Sequence, residues 1–134
     1  MKRKVIVSTL ISCGDEYLFI KQNKPGGAYP GTLHIPGGGL EDGETPLDGV
    51  IREIREETGL VGLQNITPFD FDDDTMNYKG EDTQFIFLRY LAESKNKNAV
   101  AGSDAKEIVW VKKADVLKHP HNPATLRMLR KIKS

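Results

Sequence analysis

Between Pro36 and Gly59 the chain has few choices of local structure. Three consecutive glycines, Gly37-Gly38-Gly39, let the backbone approach a neighbour or ligand closely. Thr45-Pro46 reads as a helix start, with threonine as cap and proline at the first helical position, and Gly59 reads as the stop. On a wheel of about 100° per residue, Leu47, Val50, Ile51 and Ile54 share one stripe, predicted to face the core. Glu53, Glu56 and Glu57 gather on the adjacent face, with Gly49 pointing into it. Like charges at these spacings destabilise a helix by about 0.2–0.5 kcal/mol per pair, and Arg52 and Arg55 lie to the side of the cluster. A solvated acidic face is one reading. The other is a metal–diphosphate site, because hard oxygen ligands on one rigid face suit Mg²⁺ shared with phosphates, and a glycine loop supplies backbone amides and carbonyls.

The surrounding pattern places this unit in a mixed fold. Residues 4–12 and 16–22 read as two strands joined by Cys13-Gly14-Asp15, and residues 23–45 as a glycine- and proline-rich loop. Strands are predicted at 64–71, 83–92 and 107–112, and a last helix at 123–132 whose Leu126, Leu129 and Ile132, with Met128 beside them, suit packing on the body. The order β-β-loop-α-β-β-β-α implies an α/β (α+β) architecture, a mixed β-sheet with helices packed against it. At 134 residues, one domain spanning 1–134 is expected.

Composition then narrows the function classes. Lysine plus arginine and aspartate plus glutamate number 19 each, so the formal balance is zero and argues against a basic groove tracking nucleic acid. A small phosphorylated ligand remains open. The lone Cys13 leaves no internal disulfide and fits a cytoplasmic setting. Met1 to Lys4, an apolar run from Val5 to Ile11 and then Ser12-Cys13 imitate a lipoprotein leader, but the run is short, contains Ser8 and Thr9, and reads equally as a strand. No membrane association is expected, and the protein is expected to act as a monomer or homodimer. His34, His119 and His121 lack zinc-site spacing, and His34 is read as structural or peripheral.

The loop–helix unit resembles the Nudix box, GX5EX7REUXEEXGU with U aliphatic: Gly38, Glu44, Arg52-Glu53-Ile54, Glu56-Glu57 and Gly59-Leu60 match every fixed position. The resemblance extends to Pro36-Gly37-Gly38-Gly39 and to Val109-Trp110-Val111 before Ala114-Asp115. It implies a Nudix fold with the sheet sandwiched between helices, and a hydrolase using Mg²⁺, with Mn²⁺ as a substitute. It also implies metal ligation by Glu53, Glu56, Glu57 and the Gly37 carbonyl, with Arg52 orienting Glu53, and with Glu44 bracing the loop or reaching the metal through water. For Arg52 and Glu44 a plain structural ion pair is the alternative. The general base is left between Glu53 and an acidic residue of the distal loop, Asp104 or Glu107.

The leaving diphosphate is set by the box, the remaining group is not. The chain is similar to family members that are nucleoside triphosphatases, in particular a bacterial branch preferring pyrimidine deoxynucleoside triphosphates. That likeness rests on Pro30-Gly31-Thr32-Leu33, Ile66-Thr67-Pro68-Phe69, the aspartates at 72–74, and Asn122 followed by Ala124-Thr125. Substrate contacts are expected from Gly38 and Gly39 and, at the base, from Asn122, Phe71 and Tyr78. Asn122 is equally a helix cap, and strand aromatics are more often core residues. Leu33 stands where many members carry tryptophan, and Gly49 where they often carry alanine. A sugar nucleotide or ADP-ribose substrate, and a nucleotide-sensing regulator without catalysis, are the competing readings.

Overall fold

A computed structural model describes residues 1–23, 31–103 and 106–133. Its centre is β1 (Lys2–Cys13), the segment whose sequence imitates a leader. One edge of β1 runs parallel to β6 (Glu81–Glu93), from Lys2 opposite Thr83 to Ser12 opposite Glu93. The other edge is divided. Ile11 to Cys13 pair antiparallel with β2 (Glu16–Gln22), while Ile6 to Ser8 pair with β4 (Gly37–Gly39), so the triple glycine is itself a strand of the sheet. β2 also carries β3 (Leu33–His34) and β7 (Lys106–Lys112). β5 (Gln64–Tyr78) lies antiparallel to β6 in a long hairpin. The hairpin closes at Lys79-Gly80, both at positive φ (50° and 82°), the backbone a tight two-residue turn requires.

Alternation along the strands sends side chains to two cores. Val7, Ile11, Leu18 and Ile20 meet Val50 and Ile54 of α1 (Pro46–Thr58) on one face. Leu10, Phe19, Leu33 and Ile35 meet Met128 and Leu129 of α2 (Pro123–Lys133) on the other, with Val116 of the short 3₁₀ helix Lys113–Lys118 beside them. The sheet is mixed and lies between the two helices, as the family resemblance implies. Among the described residues no helix is long and apolar enough to cross a membrane.

Three expectations need correction. The helix buries Gly49, Val50, Glu53, Ile54 and Thr58, whereas Leu47 and Ile51 are 46% and 47% exposed. The inward stripe is therefore centred on Gly49 and Glu53, because the absent side chain of Gly49 lets Leu40 and Val7 press against the helix there. β5 runs on to Tyr78 rather than ending near 71, through Asp72-Asp73-Asp74. These charges are tolerated in a strand because Arg89 and Arg127 neutralise Asp72, and Arg127 also reaches Asp74. Finally, the long loop contains β3 and β4, whose glycine and two-residue sequences carry no alternating pattern.

Candidate active site

The cap geometry fixes where α1 begins and ends. Thr45 Oγ1 accepts from Asp48 N at 3.1 Å, and Gly59, at φ 72°, donates its N–H to Arg55 O at 2.9 Å. Beneath the helix, β4 presents bare backbone. A Cβ on Gly38 would fall 2.5 Å from Glu53 Oε1, so only glycine lets that carboxylate lie on the strand. Gly37 N donates to Glu57 Oε2 at 3.4 Å.

Arg52 binds the parts together. Its Nε and Nη2 donate to the two oxygens of Glu44, at 2.6 and 2.9 Å, a bidentate pairing. Nη1 donates to Glu53 Oε1 at 2.9 Å and Nη2 to Gly39 O at 3.1 Å. Glu44 also accepts from Glu41 N at 3.0 Å. Hydrogen bonds from Arg52 and then from the Glu41 backbone hold the Glu44 carboxyl down at about 2. Arg52 thus fixes Glu53 on one side and pins the loop end through Glu44 and Gly39 on the other.

Glu57 is in the opposite condition. Burial pushes its carboxyl up to about 7, the charge of Lys106 opposes this, and the neighbouring Glu53 carboxylate adds to it. Glu56 is more open and its Oε2 accepts from Arg52 Nη1 at 3.3 Å. Among the described residues no three acidic or histidine side chains already converge as a ligand set. The donors still fit a hard divalent cation. Three carboxylates share one helix face over a glycine strand, and the desolvated Glu57 stands in an environment that a cation would relieve. Binding requires Glu56 to turn from Arg52, a rotation of an exposed side chain.

Beside the glutamates lies a cleft of about 160 Å³, lined by Ile6 and Ser8 of β1, Gly37 and Gly38, His34, Phe87, Arg89, and Asn122 and Thr125 at the start of α2. Asn122 holds two places at once, helix cap and cleft wall. Its Oδ1 accepts from Thr125 N at 2.8 Å, capping α2, and the same residue lines the cleft. Gly38 lines the cleft, and Gly39 is tied to Arg52. The structure does not bring Phe71 or Tyr78 there. Phe71 is 74% exposed on β5, and Tyr78 sits at the hairpin end against Phe85, between Lys4 and Lys79. Glu107 is exposed and accepts from Asn23 Nδ2 at 3.2 Å, while Asp104 lies outside the described residues.

Three residues here were given no functional role by the sequence. His34 lines the cleft, donates from Nδ1 to Ile35 O at 3.2 Å, and is held neutral because burial lowers its pKa. Lys106 acts electrostatically on both His34 and Glu57. Arg89, 1% exposed, pairs with Asp70 and Asp72 while its guanidinium lies 5.5 Å from the centre of the Phe87 ring. The signal for Arg89 was available: an arginine inside the apolar run Phe85-Ile86-Phe87-Leu88-Arg89-Tyr90-Leu91 is costly unless paired.

The NUDIX domain model matches residues 1–132. The chain belongs to the Nudix family. The nucleoside triphosphatase NudI of Escherichia coli is 35% identical over 136 residues, covering 97% of this chain and 96% of the relative. Among solved structures, the MutT Nudix hydrolase of Burkholderia pseudomallei superposes with a TM-score of 0.80 at 24% identity, over 97% of this chain and 98% of that one. The Nudix domain of Shewanella oneidensis NrtR, solved with ADP ribose, gives 0.74 at 16% identity over 99% and 86%. The last two show the fold. With the complete box and the NudI relationship, this Nudix chain is a hydrolase acting on pyrophosphate bonds.

Proposed function

We propose that the chain is a Mg²⁺-dependent nucleoside triphosphate pyrophosphohydrolase, releasing a nucleoside monophosphate and pyrophosphate, with preference for pyrimidine deoxynucleoside triphosphates. The observation that carries this reading is the end-to-end similarity to NudI, named a nucleoside triphosphatase, together with a cleft that runs from Gly37 and Gly38, the glycines touched by Glu57 and Glu53, to Asn122. The Asn122 Oδ1 is committed to the helix cap, so its Nδ2 faces the ligand as a donor and suits a base carbonyl. Phe87, which lines the cleft, takes the base-contacting role in this reading in place of Phe71 and Tyr78.

Glu53, Glu56, Glu57 and the Gly37 carbonyl would hold the metal, with Mn²⁺ able to substitute. When bound, the divalent cation supplies charge neutralisation on the diphosphate and acidifies coordinated water. Arg52 keeps Glu53 oriented through Nη1, and Glu44 keeps Arg52 in place. Water oxygen bonds to phosphorus as the bridging P–O bond to pyrophosphate breaks, and the water proton passes to a carboxylate. Of the described candidates Glu53 is the one beside the glycine strand, whereas Glu107 is engaged by Asn23. The whole chain acts as one domain, in the cytoplasm, as a monomer or homodimer, on a small nucleotide rather than on nucleic acid or membrane.

The test is pyrophosphate release across the ribo- and deoxynucleoside triphosphates, with ADP-ribose and GDP-sugars as competitors, in Mg²⁺ and in chelator. The expected result is the highest kcat/KM for a pyrimidine deoxynucleoside triphosphate and no turnover in chelator. A sugar nucleotide or ADP-ribose in first place would transfer the assignment to that substrate class. Nucleotide binding without turnover would make the chain a sensor.

A further inference from the structure

A helix leaves its last carbonyls without intrahelical partners, and they must be satisfied from outside. In α1 these carbonyls belong to the turn that carries Glu56 and Glu57. Gly59 N serves Arg55 O, but the Thr58 and Glu57 carbonyls are served by a distant segment: Val100 N donates to Thr58 O at 2.9 Å and Gly102 N to Glu57 O at 3.1 Å. The contact at Gly102 is closer still. A Cβ there would press on the Glu56 carbonyl oxygen inside the distance at which real Cβ atoms sit, and 3.4 Å from Glu57 Cα. Gly102 has no positive φ, so the demand for glycine is steric rather than conformational.

The segment that reaches over has no regular structure, yet it is fastened. Ser94 N donates to Ser12 O at 2.8 Å, Lys97 pairs with Glu16 and lies 5.8 Å from the centre of the Trp110 ring, and Ala99 packs on the first core. A strap anchored to the sheet at one end and pressed onto the last turn of α1 at the other sets the height and rotation of that turn.

We propose that Gly102 is a positioning residue for the metal-binding glutamates, the strap from 94 to 102 holding the peptide units of Glu56 and Glu57 so that their carboxylates meet one cation. This rests on the metal-dependent reading of the site. A strap of this kind predicts more than added stability, because displacing it moves ligands rather than merely loosening a helix end.

The experiment compares Gly102→Ala with Gly59→Ala, using Mn²⁺ binding to the substrate-free protein by calorimetry, thermal unfolding, and kcat and KM in saturating Mg²⁺. Gly59→Ala strains the left-handed cap but has open space around its Cβ, so it costs stability without touching the strap. The expected result is that both variants lose Tm, while Gly102→Ala alone weakens Mn²⁺ binding, by about tenfold, and lowers kcat more than it changes KM. Val100→Pro, which removes one strap donor without adding bulk at Glu56, should weaken Mn²⁺ binding by less and in the same direction, and stands in if Gly102→Ala does not fold. Equal Mn²⁺ affinity in Gly102→Ala and wild type overturns the inference, as does an equal loss in Gly59→Ala. A wild-type protein that binds no Mn²⁺ overturns the metal reading itself, and this inference with it.

Discussion

Glu57, half-buried, and His121, buried, are both desolvated titratable side chains, and they lead to opposite expectations. Glu57 is kept from full ionisation by burial, so its carboxylate is an expense in the metal-free protein that only a bound cation justifies. Glu57→Gln should therefore lower kcat by two or more orders of magnitude while leaving Tm in chelator equal to or above that of the parent. Steady-state kinetics and a melting curve on the same sample check this, and an active variant would return the helix face to a solvated role. His121 packs against Phe19 of the α2 core. Its Nε2 donates to Val116 O at 2.6 Å, and its Nδ1 is buried without a partner among the described residues. Protonation would place a second N–H where no described residue accepts it, and burial lowers the pKa below 6.5. The folded state thus binds fewer protons than the unfolded chain, so this contribution is present above the unfolded pKa and is lost as pH falls from about 6.5 toward the depressed folded value. The expected outcome is a Tm that declines between pH 7 and pH 5, with a shallower decline in His121→Gln. The box glutamates and Arg52 were legible in the sequence because a fixed spacing on a helix makes a pattern. His34 and Lys106 were not, since they reach the site from different strands and no local spacing relates them.

At the scale of elements, α2 shows how one side chain can serve fold and site together. Asn122 caps the helix with Oδ1 and also lines the cleft, and the proposed reading gives its Nδ2 the role of donor to the base. Asn122→Asp keeps the acceptor and so keeps the cap, but loses the donor. Asn122→Ala loses both. The alanine variant should cost about 1 kcal/mol of stability, and the aspartate variant close to none. Both should lower kcat/KM several-fold for the preferred base, the loss of one hydrogen bond of about 0.5–1.5 kcal/mol, and should do so unequally across bases. A stable aspartate variant with an unchanged ranking would place base discrimination on Phe87 instead. Helix ends were the most legible features of this chain, because Thr45-Pro46, Gly59 and Asn122-Pro123 state them in local chemistry. The rotation of α1 was not legible. The apolar residues Leu47 and Ile51 pointed to one stripe, and the deciding residue was Gly49, which contributes by having no side chain. β5 was cut short for a related reason: an aspartate run reads as loop until its partners, Arg89 on β6 and Arg127 on α2, are known.

For the whole molecule the question is whether the two faces of the sheet form one cooperative unit. The α1 core and the α2 core contain different residues but the same strands: Ile11 and Leu10 are consecutive on β1, and Leu18 and Phe19 are consecutive on β2. Neither core can be lost without baring one face of the central strands that the other needs. Arg89, on β6, adds a second link by joining the β5–β6 hairpin through Asp72 to Arg127 of α2. Chains of this size commonly unfold in a single transition when their contacts interlock in this way. Two probes on opposite faces test it. Trp110, the only tryptophan, packs against the α1 core, and the Met128 methyl lies fully buried in the α2 core. In urea, Trp110 fluorescence and the Met128 methyl resonance should give one midpoint, coincident with loss of far-ultraviolet circular dichroism. Ile54→Val should move all three midpoints together, although Ile54 touches only the α1 core. A Met128 signal that collapses at lower urea than Trp110 would mean that α2 detaches on its own. The cleft bordered by Asn122 and Thr125 would then open while the glutamate helix stays folded, and substrate affinity would fall in mild denaturant before metal binding does.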